Sequence, residues 1–562
     1  MEKIKMTIQE LLASYLNVSK EQILFTTPPS SELGDLALPC FTFAKSLRKS
    51  PILISEDIQE FLVTQDYDFI SHIETKQGYV NIYFNKTYIT QHTIEAIQDK
   101  KDFYGSNQLG IGKEALIEHT SINPNASPHI GRARNALIGD VISRLLKFEG
   151  FSVDTQYFVN DIGKQIAMLV YAASDLESIE FKDLLKLYVD INNTIKENPE
   201  LENEIFDLLS RFESGEELIV KAFKKIVDVC IEGQTGLLSE LGIHYDTFKY
   251  ESDYIFSHRL LDILEAFKQT PYLEEDESGR YVLNLSKYEL PMKAPYLVLT
   301  RKDKTSLYVL RDIAYTIDKI KQNPHHNFIL LGEDQKLYFK QLSAALDILG
   351  YPSPKAIHYS FVLLKEGKMA TREGKVVLLE DFMKEAVVKV ETYVTESNHT
   401  IADKKTIKAI AYGAVKYAIL KVDNDRNVTF NWDHALSFEG DSGPYIQYSY
   451  ARIQSILKKV PTIESDRVDY SLLDSLEEYE LVKHLNQMSE IIKKSLEEKS
   501  PHLLAQYAYQ TAKKFSSFYH HCPIMTADSE KLKHSRLALI QCVAQVIKNT
   551  LSILGIDVVD SM

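Results

Sequence analysis

Residues 114 to 159 constrain the fold of this chain more tightly than any other stretch. "EALIEHTS", from Glu114, is a short apolar strand. Residues 132 to 149 then place Ala136, Leu137, Val141, Ile142, Leu145 and Leu146 at helical spacing, Gly150 stops the helix, and "SVDTQYFV" is a second strand. Two strands joined through a helix in so short a span need a crossover, and a crossover means a parallel sheet. Such sheets bind ligands at the carboxyl ends of their strands. The polar stretch "HTSINPNASPHIGRARNALIGD", residues 119 to 140, sits at that end of the first strand.

Around this unit the chain divides into three parts. Residues 1 to 109 read as a small α/β domain: a helix near the start, the turn-rich "TTPPSSELGDLALP", a helix "CFTFAKSLRKS" and a strand "GYVNIYF". "KKDFYGSNQLGIGKEA" is the linker out of it. Residues 110 to 430 form the α/β domain proper, interrupted at about 165 to 255 by an acidic insertion that is amphipathic helix throughout. The alternation resumes with the strand "NFILLG", the helix "KLYFKQLSAALDILG" and the strand "AIHYSFVLL". From Asp381 onward the periodicity is helical, and residues 431 to 562 are expected to be an all-α domain.

A chain of 562 residues exceeds a single core and fits two to four domains. No window approaches eighteen apolar residues, and "MEKIKMTIQELLASYL" has the pattern of an amphipathic helix rather than a secretion signal, so a cytoplasmic protein without membrane contact is expected. Cys40, Cys230, Cys522 and Cys542 are too scattered for a disulfide framework or a cysteine zinc site. The pairs His325-His326 and His520-His521 would point to opposite faces of a strand, so no protein-held metal is expected. The formal charge of −15 argues against a polyanion-binding surface overall, yet leaves room for a local basic stripe.

The stretch at the first crossover has the ingredients of a phosphate site. A helix N-terminus offers unpaired N–H groups and partial positive charge. Gly131 permits close approach to the backbone, His129 can donate to a phosphoryl oxygen, and Arg132 and Arg134 add fixed charge. On these residues alone, an ordinary turn is the better reading of His129 and Gly131. "KEGKMATREGKVVLLED", residues 365 to 381, is a lysine-rich, glycine-flanked loop directly after a strand, in which Lys368 and Arg372 could neutralise charge on a pyrophosphate. It also reads as a solvated basic hairpin when taken by itself.

Together the two stretches resemble the HIGH and KMSKS signatures of class I aminoacyl-tRNA synthetases. The wider context resembles the arginyl enzymes of that class, through "SINPNASPHIGRARNALIGD", "YFVNDIGKQ", "SLYVLRDIA" and "FEGDSGPYIQYSYARIQSIL", with "ELGDLALPCFTFAKSLRKSP" resembling their N-terminal domain. The resemblance implies a Rossmann-type parallel-sheet catalytic domain between a small α/β N-terminal domain that touches tRNA and a helical C-terminal anticodon-binding domain. It implies two steps: ATP activates L-arginine as arginyl-adenylate, and the arginine passes to the 3′ end of tRNA(Arg). Mg²⁺ would accompany the ATP, and a monomer is the working expectation. By the same resemblance the catalytic groups are His129, Gly131, Arg132, Lys368 and Arg372, and ATP is met by His129, Gly131, Arg132, Lys368 and Met369.

A guanidinium demands carboxylates in fork geometry. Glu118 ends the first strand, and Asp312 follows Tyr308 by four residues, one helical turn. The resemblance assigns Glu118 and Asp312 to the guanidinium and Asn123, Tyr308 and Gln335 to the rest of arginine. Taken singly, Glu118 needs some partner if buried, Asp312 beside Arg311 fits a surface charge, Tyr308 a core residue and Asn123 a turn. In "GPYIQYSYARIQS", Tyr445, Tyr448 and Tyr450 interleave with Arg452. Tyr445, Tyr448 and Arg452 are the expected tRNA contacts, by stacking and by phosphate or base-edge contact, though a tyrosine-rich core helix gives the same pattern. The N-terminal domain shows no basic cluster that would mark a tRNA surface.

The signatures depart from the family pattern. Arg132 stands where histidine is usual, and Ala370 and Thr371 replace the usual serine and frequent lysine. Ala126 and Ser127 do not supply the lysine that some arginyl enzymes carry before the first signature. Arg132 is the expected substitute cation, with Arg372 or Lys375 as alternates. A rival reading is a paralogue that binds tRNA without charging it; the complete set Glu118, Asn123, Tyr308, Asp312 and Gln335 argues against it. A different nucleotidyl-transferring enzyme would leave the C-terminal helices without a task, and a cysteine-specific relative lacks its zinc ligands.

Overall fold

At the centre lies a five-stranded sheet in which every pairing is parallel. Its strands are β4 (Glu114–Glu118), β5 (Ser152–Val159), β6 (Thr247–Tyr250), β10 (His326–Gly332) and β11 (Lys355–Tyr359), in spatial order β11-β10-β4-β5-β6. The computed structural model describes residues 2–364, 377–396, 403–460, 463 and 465–562. Strand order reverses between β4 and β10, and such a reversal opens a crevice at the carboxyl ends of the two strands. Glu118 is the last residue of β4, between Ile329 of β10 and Gln156 of β5.

The first crossover is the helix Ile130–Phe148, which buries Ala136, Leu137, Val141, Ile142, Leu145 and Leu146 as the spacing predicts. Gly150, at φ +89°, ends it. Gly139 faces the sheet, and a Cβ there would fall 2.2 Å from Cγ of His119, so only glycine lets that imidazole lie between helix and strand.

Between β5 and β6 stand the helices Lys164–Ala172, Phe181–Glu197, Leu201–Glu213 and Glu217–Glu240, packed round their own apolar cluster. The insertion expected at 165 to 255 is therefore helical, with one correction: Thr247–Tyr250 is β6, the edge strand of the central sheet. A second correction concerns "AIHYSFVLL". It is two strands, because Ser360 and Phe361 break away after β11, and β12 (Val362–Leu364) pairs in parallel with β13 (Val428–Phe430). A small antiparallel sheet of β7 (Leu273–Glu275), β8 (Tyr281–Asn284) and β9 (Tyr296–Val298) precedes the helix Tyr308–Lys321.

The N-terminal domain packs helices on an antiparallel sheet of β1 (Leu36–Pro39), β2 (Ile70–Lys76) and β3 (Tyr79–Phe84). "CFTFAKSLRKS" is not one helix: a 3-10 turn Cys40–Phe43 runs into the single turn Ala44–Leu47. After β13 the described chain is helical: Gly443–Leu457, Leu476–Asn486, Met488–Glu498, Pro501–His521 and Glu530–Ile553 are its long helices. Gly443 meets the helix Lys404–Leu420 so closely that a Cβ would lie 2.8 Å from the Gly413 carbonyl oxygen. One continuous apolar cluster joins all three parts, and Lys483 reaches Asp35 of the N-terminal domain at 3.2 Å.

Candidate active site

The chain leaves β4 through a strained turn. Thr120 (φ +76°) and Ser121 (φ +43°) both occupy the left-handed region, which costs non-glycine residues free energy unless their surroundings fix them. Here they do. The Thr120 N–H donates to Asn135 Oδ1 at 2.6 Å, while the Asn135 amide donates to the Leu330 carbonyl and to the Tyr359 hydroxyl, each at 3.3 Å. The Tyr157 hydroxyl accepts from the Ile122 N–H at 3.0 Å. Gln234, on the insertion helix Glu217–Glu240, donates to the carbonyls of Asn123 (3.1 Å) and Ala126 (2.9 Å). Three strands and the insertion thus hold one turn.

That turn delivers His129 to the mouth of the helix Ile130–Phe148. His129 Nδ1 is buried and has no hydrogen-bond partner among the described residues. Burial, and then the Arg132 charge, hold its pKa below the ordinary value, so the imidazole is neutral at pH 7. Arg132 itself is exposed. Arg134 is elsewhere: its guanidinium is buried and donates to the carbonyls of Ser360 (2.7 Å), Arg426 (2.7 Å) and Asp423 (2.8 Å), so it braces the chain and is not available to phosphate. Lys368, Met369 and Arg372, with Ala370, Thr371 and Lys375, lie outside the described residues. The chain directly after them is placed, however: Ile130 N–H donates to the Val377 carbonyl at 3.2 Å and Leu379 N–H to the Pro128 carbonyl at 2.8 Å.

At the end of β4 lies a cluster of charged side chains, most of them buried. The helix Tyr308–Lys321 presents Tyr308, Asp312 and Lys319 toward β4 and the helix Lys336–Ile348. Glu118 is buried and forms an ion pair with Lys319, whose side chain is 0% exposed. Asp312 accepts from the Tyr338 hydroxyl at 2.6 Å and from Thr316 at 3.4 Å, and the rings of Tyr308 and Tyr338 lie 5.6 Å apart. Burial raises the pKa of both carboxyls; Lys319 opposes the rise at each, as does the Tyr338 hydrogen bond at Asp312. Behind them Arg311 is not a surface neighbour of Asp312 but a buried partner of Glu251, at 2.6 Å. Burial pushes Glu251 up to about 7 even so. Two isolated charges in such a place would each cost several kcal/mol, so their pairing is obligatory.

The expected residues are therefore partly assembled. Glu118, Asp312 and Tyr308 belong to one cluster, linked through Lys319 and Tyr338, with Tyr308 exposed at its rim. Gln335 follows the carboxyl end of β10 and opens the helix Lys336–Ile348, three residues before Tyr338. Asn123 is exposed on the turn, its amide 3.4 Å from Gln165 of the insertion. Lys319 and Tyr338 were not anticipated. Both were legible by spacing: Lys319 follows Asp312 by seven residues, two turns along the same face, and Tyr338 follows Gln335 by three.

The C-terminal residues come together at a separate cleft of about 1040 Å³, lined by Tyr445, Tyr448 and Arg452 with Trp432, Phe438 and Met562. Arg452 donates to the Tyr448 hydroxyl at 2.7 Å and lies over that ring and the ring of Tyr519. Tyr450, by contrast, is buried.

A reversed parallel sheet, a histidine-led helix mouth at its switch point and an α-helical C-terminal part define a class I aminoacyl-tRNA synthetase, and the family model for the catalytic domain of class I tRNA synthetases (R) matches residues 93–432. Two further models match on either side: the arginyl tRNA synthetase N-terminal domain over residues 2–84 and the DALR anticodon-binding domain over 446–562. Arginine–tRNA ligases of Methanococcus aeolicus and Methanocaldococcus jannaschii are each 35% identical to this chain, over 96% and 94% of it and 95% and 94% of their own lengths. The solved arginyl-tRNA synthetase of Thermus thermophilus superposes with a TM-score of 0.83 at 25% identity, covering 99% of this chain and all of that one. The chain belongs to the arginyl-tRNA synthetase family: it is an enzyme, an arginine–tRNA ligase of class I.

Proposed function

We propose how this arginine–tRNA ligase divides its reaction among its residues. The arginine carboxylate attacks the α-phosphorus of ATP and pyrophosphate leaves. The terminal ribose hydroxyl of tRNA(Arg) then attacks the acyl carbon and AMP leaves. No protein nucleophile is involved, so catalysis rests on positioning and on stabilising charge. Glu118 and Asp312 hold the guanidinium, with Tyr308, Asn123 and Gln335 fixing the remainder of arginine. His129, Gly131 and Arg132 receive the triphosphate at the helix mouth, and Lys368, Met369 and Arg372 close on it. Arg132 supplies the cation that the altered signatures otherwise lack. Tyr445, Tyr448 and Arg452 line the cleft for anticodon bases.

The observation that carries this reading is the juxtaposition at one strand end. The buried Glu118 and the half-buried Asp312, two carboxylates fit for a guanidinium, stand at the end of β4 from which the chain runs to a helix mouth where His129 Nδ1 has no partner among the described residues. A pure tRNA binder has no use for that pair. Among the described residues no group of three or more His, Cys, Asp or Glu could hold a metal. We therefore place Mg²⁺ on the ATP phosphates rather than on a protein cage, and assign it no step. The enzyme is proposed to act as a cytoplasmic monomer. In support, no helix among the described residues is long and apolar enough to cross a membrane, and all four cysteines are buried free thiols.

The test is transfer of labelled arginine to tRNA, with Mg²⁺ or EDTA, by the native protein and by Glu118→Gln. Arginine alone among the amino acids should be charged, EDTA should abolish charging reversibly, and Glu118→Gln should raise the KM for arginine. An unchanged arginine KM in the variant removes Glu118 from the pocket, and charging in EDTA removes Mg²⁺.

A further inference from the structure

Glu118 does not wait for its ligand with a free charge. Lys319 already pairs with it, and the Lys319 side chain is completely buried. Its ammonium also lies 4.3 Å from the centre of the Tyr315 ring. That ring is fixed in turn: it stacks on Phe158 at 4.2 Å, and its hydroxyl donates to Gln156 at 2.9 Å. Lys319 has a carboxylate on one side, an aromatic face on another and no route to water. It is a permanent wall of the pocket rather than a gate that swings aside.

The consequence is a charge count. Glu118, Asp312 and Lys319 together carry one net negative charge. An arginine side chain brings one positive charge, and the filled pocket is neutral. Without Lys319 the buried Glu118 would feel the Asp312 charge with no cation to offset it, and two carboxylates so coupled share a proton rather than ionising twice. Arginine would then have to displace that proton before it could bind.

We propose that Lys319 is a positioning and specificity residue for arginine: by pairing with Glu118 at the buried end of the pocket it leaves one uncompensated negative charge, matched to a single guanidinium. The proposal rests on the reading of Glu118 and Asp312 as the guanidinium's partners. The ligand it selects for is a monocationic side chain with a planar fork. A neutral isostere such as citrulline would leave the Asp312 charge unmatched.

The experiment measures the KM for arginine in tRNA charging with four proteins: native, Lys319→Met, Glu118→Gln and the double variant. Lys319→Met should raise the arginine KM roughly 30-fold or more, as loss of one partner from a buried charged pair does. The KM for ATP and the affinity for tRNA should stay within about threefold. Lys319→Arg, which keeps the charge, should restore most of the loss. The decisive comparison is the double variant. Glu118→Gln alone leaves the pocket neutral, with a lone buried ammonium; removing Lys319 as well returns one net negative charge. The double variant should therefore bind arginine more tightly than Glu118→Gln, a strongly non-additive cycle. That comparison still decides the matter if Lys319→Met alone fails to fold. Additive losses, or a Lys319→Met arginine KM equal to or below native, overturn the proposal. Failure of the underlying pocket reading has a different signature, an Asp312→Asn variant whose arginine KM does not move.

Discussion

The arginine pocket and the phosphate turn leave the same strand end in opposite electrostatic conditions. In the pocket each carboxylate meets a partner within the protein, and all but one meet an opposite charge: Glu118 has Lys319, Glu251 has Arg311, and Asp312 has only the hydroxyls of Tyr338 and Thr316. In the turn the functional groups lack partners of their own among the described residues. His129 Nδ1 lacks a partner, Arg132 faces outward, and the backbone between them and β4 is held in the left-handed region at Thr120 and Ser121. The contrast follows from what each ligand brings. A guanidinium is a single charge that must be recognised among other amino acids, so its site is largely buried and its charge is counted out in advance. A triphosphate carries several charges that change place during the reaction, so its site is a rim of groups able to follow them. Buried pairing serves selection, and open donors serve the chemistry.

If so, the two halves of the site should fail separately. The largest effect is expected from Asp312→Asn, which keeps the shape of the side chain and removes the one negative charge left for arginine. The arginine KM should rise between about 30-fold and a few thousand-fold, the range for a buried charged pair losing one member. The KM for ATP should hold. Steady-state charging with each substrate varied in turn reads both, and a parallel rise in the ATP KM would erase the proposed distinction.

Arg132→Ala is the converse. With the cation at the helix mouth gone, kcat should fall about 100-fold, as for loss of one preorganised donor to a developing negative charge, while the arginine KM stays native. Unchanged turnover would return the missing positive charge to Arg372 or Lys375.

The cleft lined by Tyr448 and Arg452 has a third character, aromatic and mixed in charge, with Lys389, Asp433 and Glu439 also on its walls. Tyr448→Ala removes both a stacking surface and the acceptor that holds Arg452 at 2.7 Å. A base–aromatic contact is worth about 1–3 kcal/mol, so the KM for tRNA should rise by about tenfold. Arginine and ATP constants should not respond. A native tRNA KM would make the cleft a packing feature of the helix Gly443–Leu457.

How much of this was legible in the sequence differs by element. The helix Ile130–Phe148 and the strand β5 were, because each repeats one period long enough to be unambiguous. β6 was not: four residues of intermediate burial show no alternation, and the sheet they complete is invisible locally. The break at Ser360 and Phe361 was hidden because the apolar run continues across it. In the site, Glu118 and Asp312 were legible as carboxylates in need of partners, but which partners was not. The Lys319 ammonium crosses 201 residues of sequence to reach Glu118, and charge pairs of that kind are set by the packing of a helix on a sheet. Arg134 shows the reverse: two residues from Arg132 its sequence position suggests phosphate charge, and the helix turns it inward to three carbonyls.

The smallest effect sharpens the turn's side of the comparison. The pKa of His129 lies below 6.5 first because of burial and then because of Arg132. The native state therefore binds fewer protons at this position than the unfolded chain just below pH 6.5. Its contribution to unfolding free energy falls as the pH drops through that window, and the imidazole stays neutral at pH 7. Charging rates should accordingly show no His129-linked loss until the pH is below the ordinary histidine value. In Arg132→Ala only the burial remains, so the NMR titration of the His129 imidazole should move part of the way back toward 6.5. A midpoint that does not move would place the Arg132 charge too far from the imidazole for both to grip one triphosphate, and the turn would then need its cation from Arg372 or Lys375.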